Sequence, residues 1–409
     1  MFKVKYLPYL IVLITFCSDP FIWYTAFGLN DRIMSVLLMS FSFIYLIKKQ
    51  VFMGHRDYLW IGSWILVFLY INIHGSLLID TTQIVQSYGY LFKMLFLVVV
   101  IYAVKNDFQK LLHFFFKVNI VIIYASVVLF FLLILGIELP SIEFSQGTSG
   151  VLLDSNRLYP LGVVMDKAHF GNITFIRIGG LTDEPGQLAL LITWLLILNE
   201  FTLKSKSYRK SLIFCGIFTF SLAFLVSIIL FGIYFLVVKL NRPVLILKNV
   251  ALLLISIFIV YSLLGDTPRT YLNNKIFSRL VVTSNQGTLI AGDNRTGSYK
   301  HDYERLKSID HLWFGLGVSE AQRKGFGNEF ATYGLISYFT RYIPIFLLLI
   351  LNSKSIKIGL LLIITVNFLQ RTGIHFSYQM LILTFIYYAP ILRNYTLFDS
   401  LKRQSLVAP

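Results

Sequence analysis

Charge, cysteine and familiar catalytic signatures are all scarce in this chain. Only 14% of its 409 residues are charged, against about 25% in an ordinary soluble domain. Its two cysteines, Cys17 and Cys215, both lie in apolar runs, which argues against a disulfide framework and against a thiolate metal site. No HExxH, P-loop, nucleophile elbow or CxxC pattern occurs, so the motif-borne chemistries of zinc hydrolysis, nucleotide cradling and serine nucleophiles have no foothold. There is no evident repeat or low-complexity tract.

What is present is apolar sequence. Hydrophobic residues make up 56% of the chain, with 37 Phe and 24 Tyr, and the mean hydropathy is +0.72. One compact core cannot hide that much apolar surface, so lipid is the natural solvent for most of it. A spanning helix needs ~20 mostly apolar residues, and hydropathy reading finds many such runs. They predict an all-α fold, a polytopic membrane protein of about 12 transmembrane helices with two large outer loops. The spans fall near 7–27, 32–47, 58–79, 84–104, 112–137, 187–203, 211–224, 225–238, 246–264, 331–351, 356–370 and 375–392. The start, MFKVKYLPYLIVLITF, has the basic flank and apolar run of a signal peptide. It lacks a convincing small-residue cleavage site and is read as a retained first helix.

The net charge of +16 would suggest nucleic acid in a soluble protein. Here it follows the short connections instead. MFKVK, KKQVFMGHR, KNDFQK, KSKSYRK, KLNRPVLILK, NSKSIK and the tail RNYTLFDSLKRQ are basic, whereas GLND at 28–31 and DTTQ at 80–83 are not. Basic short loops stay in the cytoplasm, which puts both termini inside. Residues 211–238 have basic sequence on both sides and so must enter and return. Each limb then has about 14 residues, or ~21 Å at 1.5 Å per residue, against a hydrocarbon core of ~30 Å. A short hairpin with Ser221 and Ser227 near its turn is expected; one long helix is the competing reading.

The chain divides accordingly. Five helices occupy 1–137, a first large outer loop 138–186, further helices with the short hairpin 187–264, a second large outer loop 265–330, and the last helices with the tail 331–409. Loops longer than ~12–15 residues are usually functional or disordered. These two carry apolar and aromatic residues throughout, such as ITFIRIGGL and HLWFGLG, and are expected to form small helices and ordered turns.

The candidate chemistry sits in those loops. The first ends in RIGGLTDEPGQLA, where Arg177 precedes two glycines and Pro185 suits the first turn of a helix capped by Asp183 or Glu184. A helix N-terminus carries a partial positive charge suited to an anion, and Arg177 adds a forked cationic donor for phosphate oxygens. A surface arginine beside an ordinary cap reads equally well. The second loop carries Arg295, Lys300, His301, Arg305, Lys307 and His311 among Asp302, Glu304 and Asp310, with HLWFGLG as an apolar turn that packs on the membrane domain. With nine Lys and Arg against seven Asp and Glu over 265–330, a charge-balanced solvated helix competes with a functional reading. Asp302 and Glu304 diverge by ~200° on a helix, so they make a poor metal pair. His74, His113 and His375 stand alone on apolar spans as packing residues. Lys93, Lys117 and Arg371 lie within or at the ends of spans, where function and snorkelling compete.

In order along the chain, RIGGLTDEPGQLA, Arg295 about twenty residues before HLWFGLG, and NEFATYGLISYF resemble the motifs of the bacterial O-antigen polymerases, within the superfamily that includes the O-antigen ligases. The resemblance implies a metal-independent integral-membrane glycosyltransferase of the inner membrane, with its active site on the periplasmic side. Its donor would be a glycan on undecaprenyl pyrophosphate and its acceptor a lipid-linked repeat unit. No cofactor, no metal and no nucleic acid are expected; the partners are those lipid-linked oligosaccharides, membrane lipid and, as an open question, a chain-length regulator. By this analogy Arg177 and Arg295 grip the pyrophosphate, supported by Arg305, and Glu184, His301 and His311 are candidates to activate or orient the acceptor. Gly327 stands where ligases of the superfamily commonly carry a histidine, before Asn328. This favours polymerase over ligase and leaves the base open. A ligase, or a lipid-linked oligosaccharide flippase or other transporter, remains the alternative.

Overall fold

A computed structural model describes residues 4–17, 31–50, 52–77, 81–143, 156–160, 163–170, 173–182, 184–235, 248, 255, 262, 306–307, 309–316, 334–336, 339–340, 342–352, 355–370 and 378–390. The described chain is mostly helical. Helix α1 is Leu7–Thr15, α2 Asp31–Lys48, α3 His55–Leu77 and α4 Thr81–Ile134; α5 is Pro185–Phe201, α6 Lys206–Ile217, α7 Leu222–Tyr234, α8 Ile309–Phe314, α9 Ile343–Leu351 and α10 Ser355–Gln370. Residues 378–390 form α11. Helix occurs among the described residues of every predicted span; in 246–264 only residues 248, 255 and 262 are described, and each is helical. By length and apolarity together, one described stretch can cross a membrane: Leu95–Ile134, which holds an 18-residue window of mean hydropathy 2.5. The apolar helices Val4–Thr15, Val36–Lys48, Pro185–Phe201 and Phe224–Tyr234 are shorter, at 10–17 residues.

Helix α4 is the organiser, packing against α1, α2, α3, α6 and the sheet described below. Its 54 residues are two helices meeting at Asp107, whose backbone is non-helical (φ −134°, ψ 35°). The break falls inside KNDFQK, where the charge pattern called for a connection. Next to it lies a buried polar knot. Asp57 is 1% exposed and sits three residues past Gly54, at the start of α3. Its Oδ2 accepts from the Gly54 N–H at 2.6 Å while the Asp57 N–H donates to the Gly54 carbonyl at 2.9 Å. This reciprocal pair satisfies two donors at the helix start. The same carboxylate accepts from the Tyr388 hydroxyl of α11 at 2.5 Å and from Lys105 Nζ of α4. One turn along, Trp60 donates to Thr384 at 3.1 Å and stacks on Tyr387 at 4.5 Å. Three segments that share a side in the charge-based topology are thus tied at one end of the bundle.

The segment 211–238 is split as the hairpin reading requires. Helices α6 and α7 are separated by Phe218–Ser221, with Ser221 at the N-cap of α7. Their 12 and 13 residues give ~18–20 Å limbs at 1.5 Å per residue. The limbs pack on each other and α7 also packs on α5 and α10. The close approach needs Gly216, because a Cβ there would lie 2.1 Å from Phe224 Cζ. Gly216→Val is expected to lower stability by about 1–3 kcal/mol through overpacking. Phe224→Leu in the same chain should recover part of that loss, read as the unfolding midpoint of detergent-purified protein.

The all-α expectation is corrected in the first long loop. Residues Ile142–Glu143 (β1), Asn156–Tyr159 (β2), Val163–Phe170 (β3) and Ile173–Gly180 (β4) form an antiparallel sheet in the order β1-β2-β3-β4. The β-branched residues of ITFIRI favour extended chain, and the hairpin from Phe170↔Ile173 to Val164↔Gly180 contains a register shift at Val164/Met165. The extra residue is Gly179 of β4, so β4 is the bulged strand; on β3 the successive residues Val163, Val164 and Met165 are all buried. Strands β3 and β4 pack on α4, and β4 also on α5. Away from these contacts the bundle is apolar on the outside. Ile33, Val36, Phe43 and Ile47 on α2, and Leu59, Leu66, Leu69 and Ile73 on α3, are exposed. Contiguous exposed apolar faces of this kind mark contact with a membrane or a partner.

Candidate functional site

The first candidate unit is a strand, a glycine turn and a helix start. Arg177 lies near the end of β4, opposite Asp166 in the ladder register, and is half-buried. The neighbouring Ile178 N–H donates to the Phe218 carbonyl at 3.3 Å. The tip of the α6–α7 hairpin is thereby stapled to the strand that carries the arginine. Chain reversal follows at Gly180, whose φ of +64° suits glycine. An added Cβ there would also lie 3.0 Å from Leu188. Gly180→Ala is expected to cost about 1 kcal/mol or more, and to reduce activity beyond the stability loss because it shifts the arginine relative to α5. A midpoint shift with unchanged specific activity would separate the two effects.

Glu184 occupies the N-cap of α5 and Pro185 its first turn, as expected, but the Glu184 side chain makes no capping bond. The sequence reading overlooked Thr182. Its buried hydroxyl lies 2.7 Å from the Gly179 carbonyl and 2.9 Å from the Glu184 carbonyl, locking the turn from within. The N–H groups of Gln187 and Leu188 close onto the Glu184 carbonyl at 3.0 and 3.2 Å, and Pro185 has no N–H. Arg177 and the helix dipole, rather than a row of amide donors, are what this unit offers an anion. Gln187 adds an acceptor: its Oε1 is buried with no hydrogen bond among the described residues.

The second unit is the turn HLWFGLG. Its helix α8 ends at Gly315, whose φ is +82° and whose N–H donates to the His311 carbonyl at 2.7 Å. The turn docks on the end of α3, where His74 Nε2 bonds the Phe314 carbonyl. The packing of this turn on the helical bundle, expected from its apolar character, is therefore observed. His311 Nδ1 lies 3.3 Å from the Gly315 carbonyl. A carbonyl only accepts, so Nδ1 is the donor in this contact; a neutral ring that donates from Nδ1 has its lone pair on Nε2, the tautomer a general base uses.

Arg177 and Glu184 share the first unit and His311 belongs to the second. Arg295, His301 and Arg305 lie outside the described residues, as do Asp183, Arg371 and His375 and the side chain of Lys93. His113 faces Tyr208 at 3.3 Å and is exposed, Lys117 is exposed, and both cysteines are free thiols. No group of three or more His, Cys, Asp or Glu arranged to hold a metal occurs among the described residues. Comparison with protein-family models, with curated proteins and with solved structures gave no match, so the functional reading rests on the chain's own residues.

Proposed function

We propose that this chain is an O-antigen (surface polysaccharide) polymerase: a polytopic inner-membrane glycosyltransferase with about twelve spans, both termini in the cytoplasm, and its active site at the periplasmic face. The observation that carries the reading is the strand–turn–helix unit of Arg177, fixed by Thr182 and by the hairpin tip. It presents a permanent positive charge and a helix N-terminus from one rigid element. The outward apolar faces of α2 and α3 and the apolar stretch Leu95–Ile134 support residence in a bilayer.

In the reaction, an acceptor hydroxyl on the incoming repeat unit attacks the anomeric carbon of the donor glycan. The glycosidic C–O bond forms as the C–O bond to the pyrophosphate breaks, and undecaprenyl pyrophosphate leaves with the bonding pair. Arg177, with Arg295 and Arg305 from the second loop, stabilises the charge that grows on the diphosphate oxygens. The hydroxyl proton passes to a base, for which His311 Nε2 has the right tautomer; Glu184 and His301 are the other candidates. No metal enters this scheme.

Deletion of the gene tests the reading through the lipopolysaccharide ladder on a gel. A polymerase deletion leaves core carrying a single repeat unit. Loss of that band as well would indicate a ligase or a flippase, and an unchanged ladder would remove the proposal.

A further inference from the structure

We propose that His74 is a positioning residue for His311, acting through the turn between them; this rests on the periplasmic-site reading above. His74 lies in the last turn of α3, fully buried, where an imidazole is costly unless its polar atoms are bonded. Its Nε2 meets the Phe314 carbonyl, so Nε2 carries the proton. That carbonyl is the last of α8 and has no partner within its own helix. The bond joins residues 240 apart in the chain.

The next carbonyl along, that of Gly315, is the one facing His311 Nδ1. Two histidines therefore address consecutive carbonyls of one turn. His74 donates from the bundle and holds the turn, and the turn in its held position accepts from His311 and sets its tautomer. The other side of the turn is fixed by close packing. Gly334 has φ +71°, and a Cβ there would lie 2.4 Å from the Trp313 carbonyl and 2.6 Å from the Gly315 nitrogen. Beneath the turn, Leu316 is buried, whereas Leu312 is exposed. The ring of Tyr70, 5.6 Å from His74 and tilted by 35°, backs the imidazole on its own helix.

The test uses the full chain in detergent with Cys17 and Cys215 replaced by serine, and a thiol reagent on Leu316→Cys, with Leu312→Cys as the accessible control. Leu316→Cys should be protected when His74 is intact. His74→Gln keeps an N–H near the Nε2 position and should preserve protection. His74→Phe should expose the thiol, and so should Gly334→Ala, which attacks the same turn from the opposite side. In polymer assays His74→Phe should lose activity by roughly 10–100-fold, the size of effect a small misplacement has on a reacting group, and His74→Gln should stay near wild type. Because His74 acts through His311, the double variant His74→Phe/His311→Gln should lose no more than His311→Gln alone. Unchanged protection in His74→Phe and Gly334→Ala would overturn the latch, and losses that multiply in the double variant would overturn the coupling to His311. If wild-type protein makes no polymer at all, the functional reading falls, while the labelling still decides whether His74 holds the turn.

Discussion

Arg177→Ala is expected to stop polymer formation, leaving less than about 1% of wild-type activity, while the protein stays folded in the membrane. Removing a single donor that stabilises developing negative charge typically costs about 10²–10³ in rate, and a charged donor to a diphosphate belongs at the upper end. Arg177→Lys keeps the charge but loses the fork that bonds two oxygens at once. It should recover only part of the activity, with a larger effect on turnover than on apparent affinity. The strand should tolerate both changes. The β4 ladder runs through backbone groups, and the staple from Ile178 to Phe218 does not involve the arginine side chain. Comparable protein yield with lost ladder is thus the expected pair of results, and a full ladder from Arg177→Ala would take away the core of the proposed site.

The largest stability effect is expected at Asp57. Its carboxylate holds the Gly54 N–H, the Tyr388 hydroxyl and the Lys105 ammonium together. Asp57→Ala leaves the tyrosine hydroxyl buried without its acceptor and removes the capping group of α3. Loss of one partner from a buried charged group costs about 3–5 kcal/mol. The Lys105 side chain is 35% exposed, so water takes up much of its charge and the lower end of that range applies. Asp57→Asn retains an oxygen acceptor for Tyr388 and should cost less, about 1–2 kcal/mol. Lys105→Met leaves the buried Asp57 carboxylate without its counter-ion and should cost more than Asp57→Asn. The unfolding midpoint of purified protein should rank Asp57→Ala as most damaging, then Lys105→Met, then Asp57→Asn. An Asp57→Ala protein as stable as wild type would show that the knot is not holding the helices together.

Much of the helical framework could be read from the sequence because lipid-exposed and helix-packing residues are both apolar, and long apolar runs admit few alternatives. The break at Asp107 and the turn at Phe218–Ser221 followed from charge placement: KNDFQK is a basic connection between two apolar runs, and the basic flanks on both sides of 211–238 demand a return. The sheet did not emerge, because ITFIRIGG is short, the buried triplet Val163–Met165 of β3 breaks the alternation of a half-exposed strand, and no local pattern announces the register shift at Gly179. Asp57 was also passed over. In GHRD it looks like part of a basic, solvated connection, and only the approach of α11, over three hundred residues away, makes it a buried acceptor. At the site, the sequence put Pro185 in the first turn of the helix and left its cap to Asp183 or Glu184; the N-cap is Glu184. The sequence could not tell that the Glu184 carboxylate leaves the capping to others, nor that the Thr182 hydroxyl locks the turn. His74 read as a packing residue, which it is, but its bonding partner lies in a loop no sequence period connects to it.

The most direct test of the central claim is reconstitution. Purified protein in liposomes, supplied with a defined undecaprenyl-pyrophosphate-linked repeat unit and a metal chelator, should produce a ladder of lengthening glycans. Each new glycosidic bond should release one undecaprenyl pyrophosphate, and Arg177→Ala should release none. If the wild-type protein yields neither polymer nor released lipid pyrophosphate, or if both appear only when a divalent metal is restored, the arginine-clamped, metal-free transfer proposed for this chain is wrong.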